Sequence, residues 1–257
     1  MHSIENLIRF KDFKMEECKD GGVMSPEKKK KKSQKPRSIT VKPNKKGRHI
    51  IGFINFLRVL VLPVFHIVRP FRYYGNHKVK DGACVYVSNH YGLMDPAYVA
   101  ATTWEGVHFV GKKEIFDSRF LGAIARKAKA ISVSRDGKDA RGLLDCFKCL
   151  KNGEKICIYP EGTRNKTDEV MLPFRHGAAV MAIRCKLPII PIVIYNRPKF
   201  FRRTDILVGD PLELTEYYDR KLTDEEMEQA DAYLRDFMLE MRRKHTEYLE
   251  SKKKKKT

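Results

Sequence analysis

Between residues 83 and 195, short apolar runs alternate with helix-patterned stretches, and no other feature constrains the fold as strongly. The runs are ACVYVS (83–88), VHFVG (107–111), AISVSR (130–135), KICIYP (155–160) and PIIPIVIY (188–195), each read as a strand. A helix opening at Asp95, with Pro96 at its first position, follows the first run. KEIFDSRFLGAIARKA, DARGLLDCFKCLKN (stopped by Gly153) and HGAAVMAIRC read as helices between the later runs. DILVGDPLEL adds a short strand, and 223–250 a long, charge-rich amphipathic helix. Such alternation predicts an α/β domain whose mixed, largely parallel sheet is flanked by helices. Ligands in sheets of this kind gather at the C-terminal ends of the strands. Neither GxxxxGK[ST] nor GxGxxG occurs in the chain.

The most apolar window lies ahead of this core: HIIGFINFLRVLVLPVFHIV (49–68), with Arg58 at its middle. A charge at mid-membrane costs about 2.5–3.5 kcal/mol. Basic residues flank both ends (Lys45, Lys46 and Arg48; Arg69, Arg72, Lys78 and Lys80), so charge sets no orientation. The pattern favours a helix lying in the membrane interface over a spanning or a core helix, with Arg58 reaching up to the headgroups. The chain thus divides into a basic, unstructured segment (1–47), a membrane-associated helix (48–72), a globular domain (73–250) and a lysine-rich tail (251–257).

Charge is concentrated at the ends. Of the net +20, +9 falls in residues 1–48 and +5 in Lys252–Lys256. Such segments attract any polyanion, anionic lipid or nucleic acid alike, and choose no partner by themselves. The start lacks the apolar core of a secretory signal, which with six cysteines in apolar or helical settings points to a reduced, cytoplasmic environment. Cys146 and Cys149 form a lone CxxC. A zinc site needs further ligands, so no metal is expected.

Two polar constellations fall at predicted strand ends. The first is NHYGLMD (89–95). Residues five apart on one continuous helix lie about 140° from each other, so His90 and Asp95 could not meet there. Asp95 as an N-cap before Pro96 allows the connection to fold His90 back over the helix start. One Asp95 oxygen would then accept helix N–H groups and the other the Nδ1 proton of His90, leaving Nε2 free as a base. Taken alone, the stretch reads more simply as a capping Asp beside a surface His. The second constellation is YPEGTRNKT (159–167). Gly162 permits close backbone approach, Thr163 offers a hydroxyl, and Arg164 a forked donor suited to phosphate. Glu161 stands beside them, and Lys112 and Lys113 follow the second strand. A base, an Arg and a Lys at three strand ends suit a phosphorylated substrate carrying a hydroxyl.

Four blocks in this order resemble the glycerolipid acyltransferases with NHxxxxD and EGTR motifs, and most closely the bacterial 1-acyl-sn-glycerol-3-phosphate (lysophosphatidic acid) acyltransferases. They are NHYGLMD, GKKEIF with AISVSR, YPEGTRN and LPIIPIVI; PFRHGAAVMAI (173–183) resembles the helix after the EGTR loop. The resemblance implies acyl transfer from acyl-ACP or acyl-CoA to the sn-2 hydroxyl of lysophosphatidic acid, with no cofactor. His90 would be the general base and Asp95 its orienting partner. Lys112 and Arg164 would bind the acceptor phosphate, Gly162 and Thr163 shape that loop, and Glu161 help hold the acceptor site. Arg135 matches the basic residue closing the second motif, and Pro188–Pro191 would serve the acyl or donor side. Arg119 and Tyr159 depart from the usual Pro and Phe. Open alternatives are glycerol-3-phosphate or another lysophospholipid as acceptor, or a non-catalytic basic module binding membrane or nucleic acid. The expected location is the cytoplasmic face of a membrane, on anionic lipids, with nucleic acid no functional partner.

Overall fold

The computed structural model describes residues 59–60, 62–75, 82–103, 106–133, 140–175 and 177–254. The basic segment 1–47, the first ten residues of the 49–68 window, Arg135 and the last three residues lie outside that description.

Seven strands form one sheet in the order β1-β7-β6-β2-β5-β3-β4. They are β1 (Phe71–Gly75), β2 (Val85–Ser88), β3 (Val107–Lys112), β4 (Ile131–Val133), β5 (Lys155–Ile158), β6 (Ile189–Ile194) and β7 (Thr204–Val208). Every pairing is parallel except β6 with β7. The predicted mixed, largely parallel sheet is therefore present. The helices are α1 (62–68), α2 (Asp95–Ala100), α3 (Lys113–Asp117), α4 (Arg119–Lys127), α5 (Ala140–Lys151), α6 (Ala178–Cys185) and α7 (Asp224–Lys254).

The central strands are apolar on both sides because both sides are covered. Val85 and Val87 of β2 face a core shared with α5, α6 and α7, while Cys84 and Tyr86 face a second core with Tyr98 and Val99 of α2. β6 alternates in the same way: Ile189 and Val193 enter the first core, Ile190, Ile192 and Ile194 the second. α5 lies so close on β4 that a Cβ at Gly142 would stand 2.2 Å from the carbonyl oxygen of Ser132. α7 buries Ala230, Leu234 and Met238, and Asp231 Oδ1 accepts the Ala179 amide (3.2 Å) in the first turn of α6.

The expected boundaries shift in four places. Phe71 and Arg72 are edge-strand residues of β1, not the end of a helix, because the chain pairs with Thr204 and Asp205 of β7. β4 begins at Ile131 rather than Ala130 and is seen through Val133, with 134–135 outside the described residues. α7 continues through Lys254, so Ser251–Lys254 are helical rather than tail, with lysines that complement the helix's negative C-terminal end. Asp95 is the first residue inside α2, Met94 occupies the cap position, and Pro96 is the second helical residue. Among the described residues no helix is long and apolar enough to cross a membrane.

Candidate active site

β2, β5 and β3 are parallel neighbours, so their C-terminal ends meet on one edge. Val87 pairs with Ile158, which places His90, three residues on, level with Glu161. Phe109 pairs with Cys157, which places Lys112 level with Pro160. The sheet thus brings His90, Glu161–Arg164 and Lys112 to one edge of three adjacent strands, as the strand-end reading requires.

His90 and Asp95 are in contact. The Nδ1 of His90 lies 2.8 Å from Asp95 Oδ2. The same oxygen accepts the backbone amides of Tyr91 (2.6 Å) and Gly92 (2.8 Å). Asp95 is wholly buried, and its Oδ1 has no hydrogen-bond partner. The expected division of labour between two oxygens is therefore wrong: one oxygen takes the ring and both amides, and the amides precede the helix. The cause is the tight Gly92–Asp95 turn, closed by the Asp95 amide donating to the Gly92 carbonyl (3.3 Å), which wraps the chain around Oδ2. Since the carboxylate can only accept, Nδ1 carries the proton and Nε2 presents its lone pair. The His90 side chain is 20% exposed, enough to meet a substrate.

The His90 backbone is held from both neighbouring strands. Glu161 Oε1 accepts the His90 amide (2.7 Å), and the Asn165 amide donates to the His90 carbonyl (2.6 Å). On the other side Asn89 imitates a strand rung on β6: its Nδ2 donates to the Ile194 carbonyl (2.9 Å) and its Oδ1 accepts the Ile194 amide (2.8 Å). Tyr159 stacks on the imidazole, with ring centroids 4.3 Å apart and planes inclined by 25°. Burial pushes the Tyr159 phenol well above its ordinary pKa, so it is neutral.

Glu161 is 1% exposed, and its second oxygen accepts the Leu172 amide (3.0 Å). Arg235 of α7 holds the same segment from behind, donating to the carbonyls of Leu172 (3.1 Å) and Met171 (2.7 Å). Burial raises the Glu161 pKa, while the amides of Leu172 and His90 pull it down. Glu161, expected to help hold the acceptor site, holds the base and the loop through backbone, its two oxygens accepting the His90 and Leu172 amides.

Gly162 sits in the left-handed region at φ 62°, closing a turn in which its amide donates to the Tyr159 carbonyl (3.0 Å). That conformation, and Arg175 Cδ 3.2 Å from a would-be Cβ, account for the glycine. Thr163 and Arg164 are exposed, Lys112 is half-buried, and Arg175 joins them over the same turn. Sequence reasoning placed Asn89 beside His90 without a role and did not single out Asn165 or Arg175, although all three stand within stretches it quoted. The first two are buried amides that occupy backbone groups, a role that spacing does not signal. Ser88 is no nucleophile: its hydroxyl is buried and donates to the Asn89 carbonyl (3.1 Å). Among the described residues one grouping has metal-ligand character, His108 with Cys149 and Glu154, and it lies away from this edge.

The arrangement offers an imidazole whose Nδ1 is held by a buried carboxylate, with Nε2 on its other side and Lys112, Arg164 and Arg175 at the same edge of the sheet. That is chemistry for deprotonating a hydroxyl on a phosphorylated molecule. A likeness to known proteins agrees with it. The chain is 33% identical over 124 residues to a 1-acyl-sn-glycerol-3-phosphate acyltransferase of Helicobacter pylori, covering 47% of this chain and 52% of the relative. It is 29% identical over 117 residues to the Bacillus subtilis protein of that name (43% and 57%), and 29% identical over 157 residues to the human beta form (52% of each). The chain thus spans about half the length of the curated relatives it matches. The solved structure of the 1-acyl-sn-glycerophosphate acyltransferase PlsC from Thermotoga maritima shares the fold, with a TM-score of 0.54 at 20% identity over 76% of this chain and 79% of that one. Residues 70–195 form a domain that matches the family model described as Acyltransferase.

Proposed function

We propose that this chain transfers a fatty acyl group from an acyl thioester, acyl-ACP or acyl-CoA, to the sn-2 hydroxyl of lysophosphatidic acid. The observation that carries the reading is the 2.8 Å contact between His90 Nδ1 and Asp95 Oδ2 with Nε2 left open. Nε2 takes the hydroxyl proton as the oxygen attacks the thioester carbonyl. The buried Asp95 carboxylate stabilises the imidazolium that forms, and the same proton then passes to the leaving thiolate. Proton and acyl group are both accounted for without a metal or prosthetic group in any step. Lys112, Arg164 and Arg175 would receive the acceptor phosphate, Arg164 through its fork. Arg135 would add to them from beyond β4, and Pro188–Pro191 would serve the acyl or donor side. A labelled-acyl assay of the purified protein against lysophosphatidate, other lysophospholipids and glycerol-3-phosphate tests this. Lysophosphatidate should give the highest kcat/KM, and preference for any other acceptor would redirect the reading.

We further infer that the protein works on the surface of an anionic membrane. α1 exposes Val64 (60%) and Ile67 (72%), and Phe200 and Phe201 stand 60% and 75% exposed beside it. The two pieces are joined: the Phe201 amide donates to the Val68 carbonyl (2.8 Å), and the Arg69 guanidinium lies 4.1 Å from the Phe200 ring centre. Exposed Lys199, Arg202 and Arg203 border the aromatics. Apolar tips ringed by cations suit acyl chains below and acidic headgroups above.

A further inference from the structure

We propose that His108, Cys149 and Glu154 form a zinc-binding site, separate from the acyl-transfer site. His108 is the second residue of β3 and pairs with Ile156, five residues before the level of His90 and Glu161. At about 3.3 Å per residue, that is roughly 16 Å along the sheet from the catalytic edge. Cys149 comes from the last turns of α5, and Glu154 from the turn between α5 and β5. Three separate elements therefore converge, and their candidate ligand atoms all lie within 4.8 Å of one another.

The hydrogen bonding at His108 sets up the site. Its Nδ1 lies 2.8 Å from the Lys129 carbonyl oxygen, which can only accept, so Nδ1 carries a proton. Lys129 adopts the left-handed conformation (φ 49°) as it delivers that carbonyl. A backbone carbonyl on the far nitrogen is the usual orienting partner of a metal-bound histidine. In the neutral ring Nε2 then presents a lone pair, and it faces Glu154 Oε2, another acceptor, at 3.4 Å. Two acceptors this close favour a positive centre beside them, a second ring proton or a cation, and the Cys149 thiol hydrogen-bonds the same Glu154 side chain. A charge-assisted N–H···O bond would close to about 2.7–2.9 Å. Nitrogen and oxygen ligands about 2.0–2.2 Å from a tetrahedral zinc ion stand about 3.4 Å apart.

The Cys149 sulfur supplies the third, softer ligand. Cys149 is 6% and His108 7% exposed, so the donors are largely pre-organised. A cleft of about 530 Å³, whose lining includes these three residues together with Asp145 and the cationic Lys129, Arg141 and Lys148, adjoins the site and would admit water as the fourth ligand. On binding, the Cys149 S–H bond breaks, its proton leaves to solvent, and an S–Zn bond forms. Thiolate and carboxylate together neutralise the ion. Of the lone CxxC only Cys149 is a ligand, joined by Glu154 five residues on and by His108 from β3, while Cys146 is packed in the core at 0% exposure. Zinc would tie β3 to α5 and to the turn feeding β5, the strand that leads into the Glu161 turn.

The test uses the full chain, reduced, stripped with chelator, and titrated with zinc chloride by calorimetry and with cobalt chloride by absorption. We expect an equivalent of zinc whose cobalt counterpart shows thiolate-to-cobalt charge transfer. Cys149→Ser, His108→Gln and Glu154→Gln should each weaken it by at least about 100-fold, the upper end of what losing even an outer partner does. Cys146→Ser should bind normally. Zinc should raise the unfolding midpoint of the wild type and of Cys146→Ser but not of Cys149→Ser. Should a ligand variant not fold by circular dichroism, a zinc-edge anomalous map of wild-type crystals grown with zinc decides. A peak between His108 Nε2 and Cys149 Sγ supports the site. A peak only elsewhere, no bound zinc, or unchanged binding in folded Cys149→Ser overturns it and leaves an ordinary protonated His108–Glu154 ion pair.

Discussion

Each polar side chain around His90 has a separable task. Asp95 orients the ring, Glu161 and Asn165 pin its backbone, and Tyr159 packs its face. Glu161→Gln places an NH2 group against one of two amide donors, so one N–H in a buried setting loses its acceptor, a penalty of about 1–3 kcal/mol. Because that strains the base and not the phosphate cations, kcat should fall at least about tenfold while the acceptor KM changes little; the reverse split in steady-state kinetics would contradict the assigned role. His90, Asp95, Lys112, Gly162 and Arg164 are legible from sequence because their chemistry and strand-end placement are local. Glu161's true task was not, because its partners are backbone groups 71 and 11 residues away.

At the level of elements, the EGTR turn is the most constrained piece. Gly162→Ala asks a side chain to adopt φ 62° and to displace Arg175. We expect a stability loss of about 1–2 kcal/mol in urea unfolding, with weakened acceptor binding as the loop shifts. α7 carries a second expectation. His245 is 6% exposed, with its Nδ1 2.6 Å from the Tyr195 hydroxyl at the end of β6. Burial lowers its pKa, so the folded state binds this proton less readily than the unfolded chain does. Stability from this group is therefore present above the unfolded value of about 6.5 and is lost as pH falls below it. Urea midpoints between pH 7 and pH 5 should fall more steeply in the wild type than in His245→Phe. The sequence displayed five of the seven strands and the terminal short strand through their apolar runs. β1 was hidden because FRYYG is an edge strand with an exposed arginine and follows directly on an apolar helix, so nothing in its pattern separates it from that helix.

Across the whole molecule, the catalytic edge and the apolar face of α1 and Phe200–Phe201 belong to one body, the helix and loop flanking the β1–β7 end of the sheet. Phe200→Ala with Phe201→Ala should lower co-sedimentation with anionic vesicles severalfold while leaving turnover on dispersed, short-chain acceptor intact. Equal vesicle binding by that variant would remove the loop from the membrane surface. The loop was not legible in the sequence, since two phenylalanines in a basic turn look like any surface aromatics until α1 is seen beside them. Ordered motifs did expose the acyltransferase reading, because a parallel sheet turns distant strand ends into neighbours. The reading rests finally on one proton transfer. Wild type and His90→Ala, matched for fold by circular dichroism, should be compared for labelled phosphatidate formed from lysophosphatidate and an acyl thioester. Loss of a general base predicts a fall in kcat of about 10²–10⁴-fold with the fold intact; a folded His90→Ala protein turning over at the wild-type rate would contradict the account.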